Sequence, residues 1–283
     1  MTNSRNHHYV SQVIIKKFVS QNTGKYFLYD KINKRYSYKQ SPKSIFYLKD
    51  LNTLINQNGQ IDYNSVEEEL SKKFENQYNS KHEKVVKAIE SRNMSEISEN
   101  LELLLMGALI SNFKTPAGKA SNDLMLNNLL LELGLNKKKN TFIHFSRLSE
   151  YQNSYFKLAK DMLELMGDIV ISIYTAPADC YYFLSDTHSA NLRIEEVDTI
   201  VEKDIEYVQR LNPVSLAMFP INSRYLIVCQ SKRSSPIQES KIYSADAEMV
   251  KGFNRVLYNL ATSTILCENK DYLSTFINND IQY

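Results

Sequence analysis

The stretch Leu163-Glu164-Leu165-Met166-Gly167-Asp168-Ile169-Val170-Ile171-Ser172-Ile173-Tyr174 is where the chain changes period. Up to Met166 the apolar residues recur at helical spacing. Gly167 stops that pattern, and the run after Asp168 is rich in β-branched residues. Upstream lies a helical middle. The spacing predicts helices over residues 148–166, over 117–133 with Gly134 closing the end, and from Ser95 to just before Thr115-Pro116. A further long helix is predicted from Ser65 to Glu90, opened by a Ser65/Glu68 capping box. Downstream lie two more strand-like runs, Tyr181-Tyr182-Phe183-Leu184 and Tyr225-Leu226-Ile227-Val228-Cys229, then a helix starting near Ala245. Residues 195–210 read as a charged excursion, and Lys137-Lys138-Lys139-Asn140 as an exposed loop.

The N-terminal side is also strand-like. Tyr26 to Asp30 and Arg35 to Tyr38, separated by an Asn-containing turn, predict a β-hairpin. Residues 45–54 fit either a short edge strand or a turn of helix. A helical middle (63–167) flanked by strands predicts an α+β fold, with a central helical bundle and a small sheet built from N-terminal and C-terminal strands. One domain spanning residues 1–283 follows.

The chain has 34 Lys+Arg against 32 Asp+Glu, a net charge of +2. That balance argues against a protein wrapped along nucleic acid, but leaves room for a local basic groove. Cys180, Cys229 and Cys267 are odd in number and sit in apolar runs, which predicts reduced, buried thiols. The first residues are polar, with no signal-peptide pattern, and the longest apolar run, residues 101–110, is too short to span a bilayer. A soluble, cytoplasmic protein with no membrane partner is expected. The sequence does not set its oligomeric state.

The first candidate for chemistry is Asn6-His7-His8-Tyr9-Val10-Ser11-Gln12. If this segment is helical, His8 and Gln12 share a face, with Ile14, Ile15 and Phe18 as the adjoining apolar stripe. His8 would be a general base or metal ligand, Gln12 would orient it, and Tyr9 offers a phenol. The plainer alternative is a histidine that pins the N-terminus to the core. His7 is expected to face solvent. The second candidate is Asp186 in Ser185-Asp186-Thr187-His188, a carboxylate at a strand end, with a turn-capping role as its alternative. Glu68 and Glu75 form a third candidate. Glu75, with Asp186, is the expected ligand pair for Mg²⁺ or Mn²⁺. There is no P-loop, dinucleotide fingerprint, Gly-x-Ser-x-Gly or paired-cysteine zinc site.

The motifs also carry a family resemblance. The chain resembles a large bacterial family catalogued as a domain of unknown function, whose members open with a His-Tyr-Val-Pro-Gln-Phe-like signature. Here the signature reads His8-Tyr9-Val10-Ser11-Gln12-Val13, with Ser11 in place of proline. Tyr29-Asp30-Lys31, Ser41-Pro42-Lys43, the Glu-rich helix around Glu75, Lys114-Thr115-Pro116, Phe183-Leu184-Ser185-Asp186, Met218-Phe219-Pro220-Ile221 and Phe253-Asn254 continue it. The resemblance supports the choice of residues and brings no activity with it. Gln230-Ser231-Lys232, with Asp186 upstream, loosely resembles the acid…acid-x-Lys arrangement of restriction-type nucleases, with glutamine in place of one acid.

Two functions are therefore expected as alternatives. One is a metal-assisted nuclease or phosphodiesterase acting on RNA or DNA, as a toxin or phage-defence effector. The other is a non-enzymatic binding or regulatory protein that offers its helical bundle to a protein partner.

Overall fold

The computed structural model describes residues 5–56, 58–132, 143–144, 147–148, 155–192, 216–233 and 235–281. The expected loop at 137–140, the Gly134 helix end, the excursion at 195–210 and the first turns of the helix predicted from 148 lie outside them.

The chain opens with strand β1 (Asn6–His8) and a short helix α1 (Gln12–Ile15). A hairpin follows, β2 (Tyr26–Asp30) and β3 (Arg35–Lys39), then β4 (Tyr47–Lys49), β5 (Leu54–Ile55) and β6 (Ile61–Asp62). The helical middle comprises α2 (Ser65–Leu70), a π turn at Ser71–Glu75, α3 (Asn76–Glu90), α4 (Met94–Lys114), α5 (Pro116–Glu132) and α6 (Tyr155–Met166). Then come β7 (Ile169–Thr175), β8 (Leu184–Ser185), β9 (Ala190–Leu192), β10 (Leu216–Pro220), β11 (Tyr225–Ser231) and β12 (Lys241–Ser244). Helix α7 (Ala247–Leu260), β13 (Thr264–Cys267) and α8 (Lys270–Asp280) close it.

The fold is α+β. The expected sheet of N- and C-terminal strands exists, in the order β3-β2-β13-β8. A second, five-stranded sheet, β12-β7-β11-β10-β9, gathers the other strands after the helical middle. It is antiparallel except where β12 runs parallel to β7. Sequence reading missed β13 and α8, because Thr264–Cys267 is too short to show a period.

Two helix starts differ from expectation. Asn93, not Ser95, caps α4, its side chain accepting from the Glu96 N–H at 3.3 Å. At α2 the capping box does not form. Asp62 instead accepts from the N–H groups of Asn64 and Ser65 at 2.9 and 3.0 Å, and from the Ser65 hydroxyl. A carboxylate two or three residues upstream satisfies these exposed donors better than a serine at the helix start, and it also favours the positive helix end.

One apolar cluster joins Ile14, Ile15 and Phe18 of the N-terminus to Tyr78 and Val85 of α3, Leu104 and Leu109 of α4, and Ile173 and Ile227 of the five-stranded sheet. The π turn packs closely on α4 because Gly107 accepts the Phe74 ring against its backbone; a Cβ there would overlap that ring. Gly107→Ala is expected to destabilise the protein by about 1–3 kcal/mol despite its better helix propensity. A lowered urea midpoint checks this.

Candidate functional site

The N-terminal motif folds differently from the helix expected of it. Ser11 is extended (φ −61°, ψ 143°), so the helix starts only at Gln12. Before it, β1 pairs antiparallel with β4, setting His7 opposite Leu48 and His8 opposite Tyr47. The expectation failed because the backbone of residues 6–8 finds a partner strand, which local spacing cannot reveal. The expected pair still meets: Gln12 Nε2 lies 3.5 Å from His8 Nδ1.

His7 does not face solvent. It is fully buried, and its Nδ1 accepts from the Asn52 N–H at 2.8 Å. The Asn52 side-chain amide donates to Glu67 Oε1 at 2.6 Å. Glu67, rather than Glu68, thus turns inward. Glu68 pairs with Lys72 at 3.6 Å on the exposed face. Glu75 accepts from the Ser11 hydroxyl, tying the π turn to the start of α1.

Two buried lysines complete the cluster. Lys114 ends α4 and is 4% exposed. Burial lowers its pKa, and the nearby charges of Glu67 and Glu75 oppose that shift. Lys119, on α5, donates to the Leu51 carbonyl at 2.6 Å. Burial, then the charges of Lys114 and Arg147, push its pKa down to about 7, against the opposing pull of Asp123 and Glu67. His8 is lowered by burial above all and further by Lys114, while Glu67 and the carbonyls of Lys43 and Pro42 act the other way. No hydrogen bond reaches His8 Nε2. The Asn52 Oδ1 and Thr53 Oγ1 atoms are likewise buried without one.

Helix α5 lines the cluster with its polar side. Lys119, Asp123 and Asn127, spaced by four, are its buried residues, while Leu124, Met125, Leu129 and Leu131 are exposed. Asn127 exchanges hydrogen bonds with the backbone N–H and carbonyl of Ile143, at 3.0 and 2.7 Å. Asp123 Oδ2 lies 3.4 Å from His144 Nδ1. The Lys-x-x-x-Asp-x-x-x-Asn spacing is a legible signal of an inward polar stripe. Sequence reading passed over it, as it did Asn52 and Glu67. Lys114 had been noted as part of a motif, but not as a site residue.

Asp186 stands elsewhere. Its Oδ1 accepts from the Thr262 N–H at 2.8 Å. Its Oδ2 accepts from the N–H groups of Ser263 and Thr264, at 2.7 and 3.1 Å, and from the Ser263 hydroxyl at 2.8 Å. It fixes the chain as it enters β13. Its charge reaches Tyr9, whose pKa is raised by burial first and by Asp186 second. Asp186 and Glu75 therefore serve different donors. Among the described residues no three His, Cys, Asp or Glu side chains gather as a metal site. Gln230, on the five-stranded sheet, accepts from the Ser235 hydroxyl at 3.1 Å, whereas Asp186 follows a strand of the other sheet.

Among the described residues no helix is long and apolar enough to cross a membrane. A family model described as "Protein of unknown function (DUF4238)" matches residues 6–271. No curated protein and no solved structure matches the chain.

Proposed function

Because the chain belongs to the DUF4238 family, whose description names no activity, we propose its chemistry from the site alone: a hydrolase of phosphate esters, a nuclease or phosphodiesterase. A toxin or phage-defence effector is the setting such an activity fits. One observation carries the reading. The buried Lys114 acts on a buried histidine whose Nε2 has no hydrogen-bond partner, and a second buried lysine, Lys119, lies within reach of Lys114. The Nε2 N–H is a buried donor without an acceptor, and a phosphate oxygen would satisfy it while drawing on lysines that Glu67, Glu75 and Asp123 otherwise balance.

The roles follow from the geometry. The Gln12 amide N–H facing Nδ1 leaves the ring proton of His8 on Nε2. Burial keeps that ring neutral at pH 7. A neutral imidazole stabilises a phosphoryl oxygen by hydrogen bonding instead of giving up its proton, and Lys114 supplies positive charge beside it. Glu67 takes a proton from the attacking water. The Lys119 ammonium gives one to the leaving oxygen as one P–O bond forms and the other breaks. Glu67 then releases its proton, and Lys119 regains one from solvent. Asp186, with both oxygens occupied by four donors, is given no chemical step.

The test is cleavage of RNA, DNA and a small phosphodiester by purified protein, with Mg²⁺, with Mn²⁺ and with chelator. His8→Ala is expected to slow cleavage ~10²- to 10³-fold. Cleavage untouched by that change would refute the assignment. A second reading, a binding or regulatory protein, is favoured by the outward apolar side of α5, Leu124, Met125, Leu129 and Leu131. On that reading no substrate is cut and His8→Ala lowers only the melting temperature.

A further inference from the structure

Between Asp30 and Asp50 the chain carries six cations, Lys31, Lys34, Arg35, Lys39, Lys43 and Lys49, and no acidic residue, within a protein of net charge +2. Lys31 is committed to the carbonyls of Tyr258 and Ala261, at 2.5 and 2.6 Å. The rest sit on or next to β3 and β4. Strand β3 is the edge of the four-stranded sheet, and every residue of it is exposed. Edge strands commonly carry lysines that discourage pairing with other chains. That accounts for Lys39 and Arg35. One face of the Tyr36 ring rests against the buried Tyr29, centroids 4.9 Å apart, and Tyr38 is the more exposed of the two rings on this edge. Tyr38 is 57% exposed and Tyr36 40% exposed. Lys25 lies 4.5 Å over the Tyr38 ring, so cation and aromatic face are presented together.

We propose that the β3 edge binds single-stranded nucleic acid and delivers it to the site at His8. The proposal rests on the hydrolase reading above and names its substrate class. Bases stack on the tyrosine rings, which single strands offer and duplexes hide, while Arg35, Lys39 and Lys43 follow the phosphates. The chain itself links the edge to the site. After β3 the chain turns through Pro42 and Lys43, whose carbonyls act on the His8 ring, and enters β4. There Tyr47, 40% exposed, sets its ring centroid 6.0 Å from that of His8.

Fluorescence anisotropy with labelled single-stranded RNA, single-stranded DNA and duplex tests this. The full-length His8→Ala protein is used, so that binding is read without turnover. Single strands are expected to bind more tightly than duplex, and the RNA and DNA arms identify the preferred sugar. Tyr36→Ala/Tyr38→Ala is expected to weaken single-strand binding at least ~10-fold. Arg35→Glu/Lys39→Glu is expected to weaken it and flatten its dependence on salt, by about 0.7 in log–log slope per lost phosphate contact. All four positions are exposed; because Tyr36 also rests on the buried Tyr29, Tyr38→Ala alone is measured beside the double variant, and melting curves check that each variant is folded. Tighter duplex binding, no effect of the tyrosine pair, or preferential binding to phosphatidylglycerol vesicles would overturn the proposal. Strand binding by a protein that cuts nothing would sink the hydrolase reading alone. Cleavage of a small phosphodiester without strand binding would sink this one alone.

Discussion

Asp186→Ala is expected to lower stability by about 3–5 kcal/mol, a fall of roughly 10 °C in melting temperature. The carboxylate accepts from three backbone N–H groups and one hydroxyl at the start of β13. Removing it leaves those donors without their acceptor in a place where Asp186 itself is 3% exposed. Each such loss costs on the order of 1–3 kcal/mol, moderated by whatever water can enter. Strand β13 is an inner strand, paired to β2 on one side and β8 on the other. Loosening its entry therefore loosens the join between the N- and C-terminal parts of the sheet. Asp186→Asn is expected to lose most of the same stability, because an amide NH₂ would face backbone donors. A catalytic carboxylate would behave oppositely: Asp186→Asn would abolish activity at an unchanged melting temperature. Thermal melts of the two variants, beside their cleavage rates, separate these outcomes.

The α+β scaffold was legible where periodicity runs long. The apolar face of α4 and the β-branched run at Ile169–Thr175 each specify their own element. The join of N- and C-terminal strands was legible only in outline: β13, which pairs with β2, was missed, and β7 and β11 belong to a sheet of their own. The N-terminal motif was legible as a place and misread as a shape. His8 and Gln12 do meet, but through a strand and a turn. Strand pairing between residues forty positions apart leaves no local period. The rest of the site was hidden by its own chemistry. Lys114 and Lys119 are residues that sequence reasoning sends to solvent, and only the fold shows both buried around Glu67. The buried Lys119, Asp123 and Asn127 of α5 lie opposite its exposed leucines, a stripe whose spacing could be read but was passed over. Glu68 and Glu75 were paired on the assumption of a regular helix, but the π turn at Ser71–Glu75 shifts the register between them.

Replacing Lys119 is expected to remove activity and to change how stability depends on pH, and the two effects together identify its role. Its pKa lies at about 7, against an ordinary value of 10.5. Between those values the folded protein has released a proton that the unfolded chain still holds, so stability rises with pH across this window. Below about pH 7 the ammonium is carried into a buried site and stability is lowest. Lys119→Met removes the titrating group and is expected to flatten that rise, with the lost bond to the Leu51 carbonyl acting as a pH-independent cost. In the proposed role of proton donor to the leaving oxygen, Lys119 must be charged. kcat/KM is accordingly expected to fall as pH rises through about 7. Lys119→Met is expected to reduce the rate about 10²- to 10⁴-fold. Lys119→Arg is the sharper variant: it keeps the charge but holds its proton at every working pH, so it should bind substrate and fail to turn it over. If Lys119→Arg proves as active as the parent, the ammonium serves only as an electrostatic anchor, and the proton must come from elsewhere in the cluster.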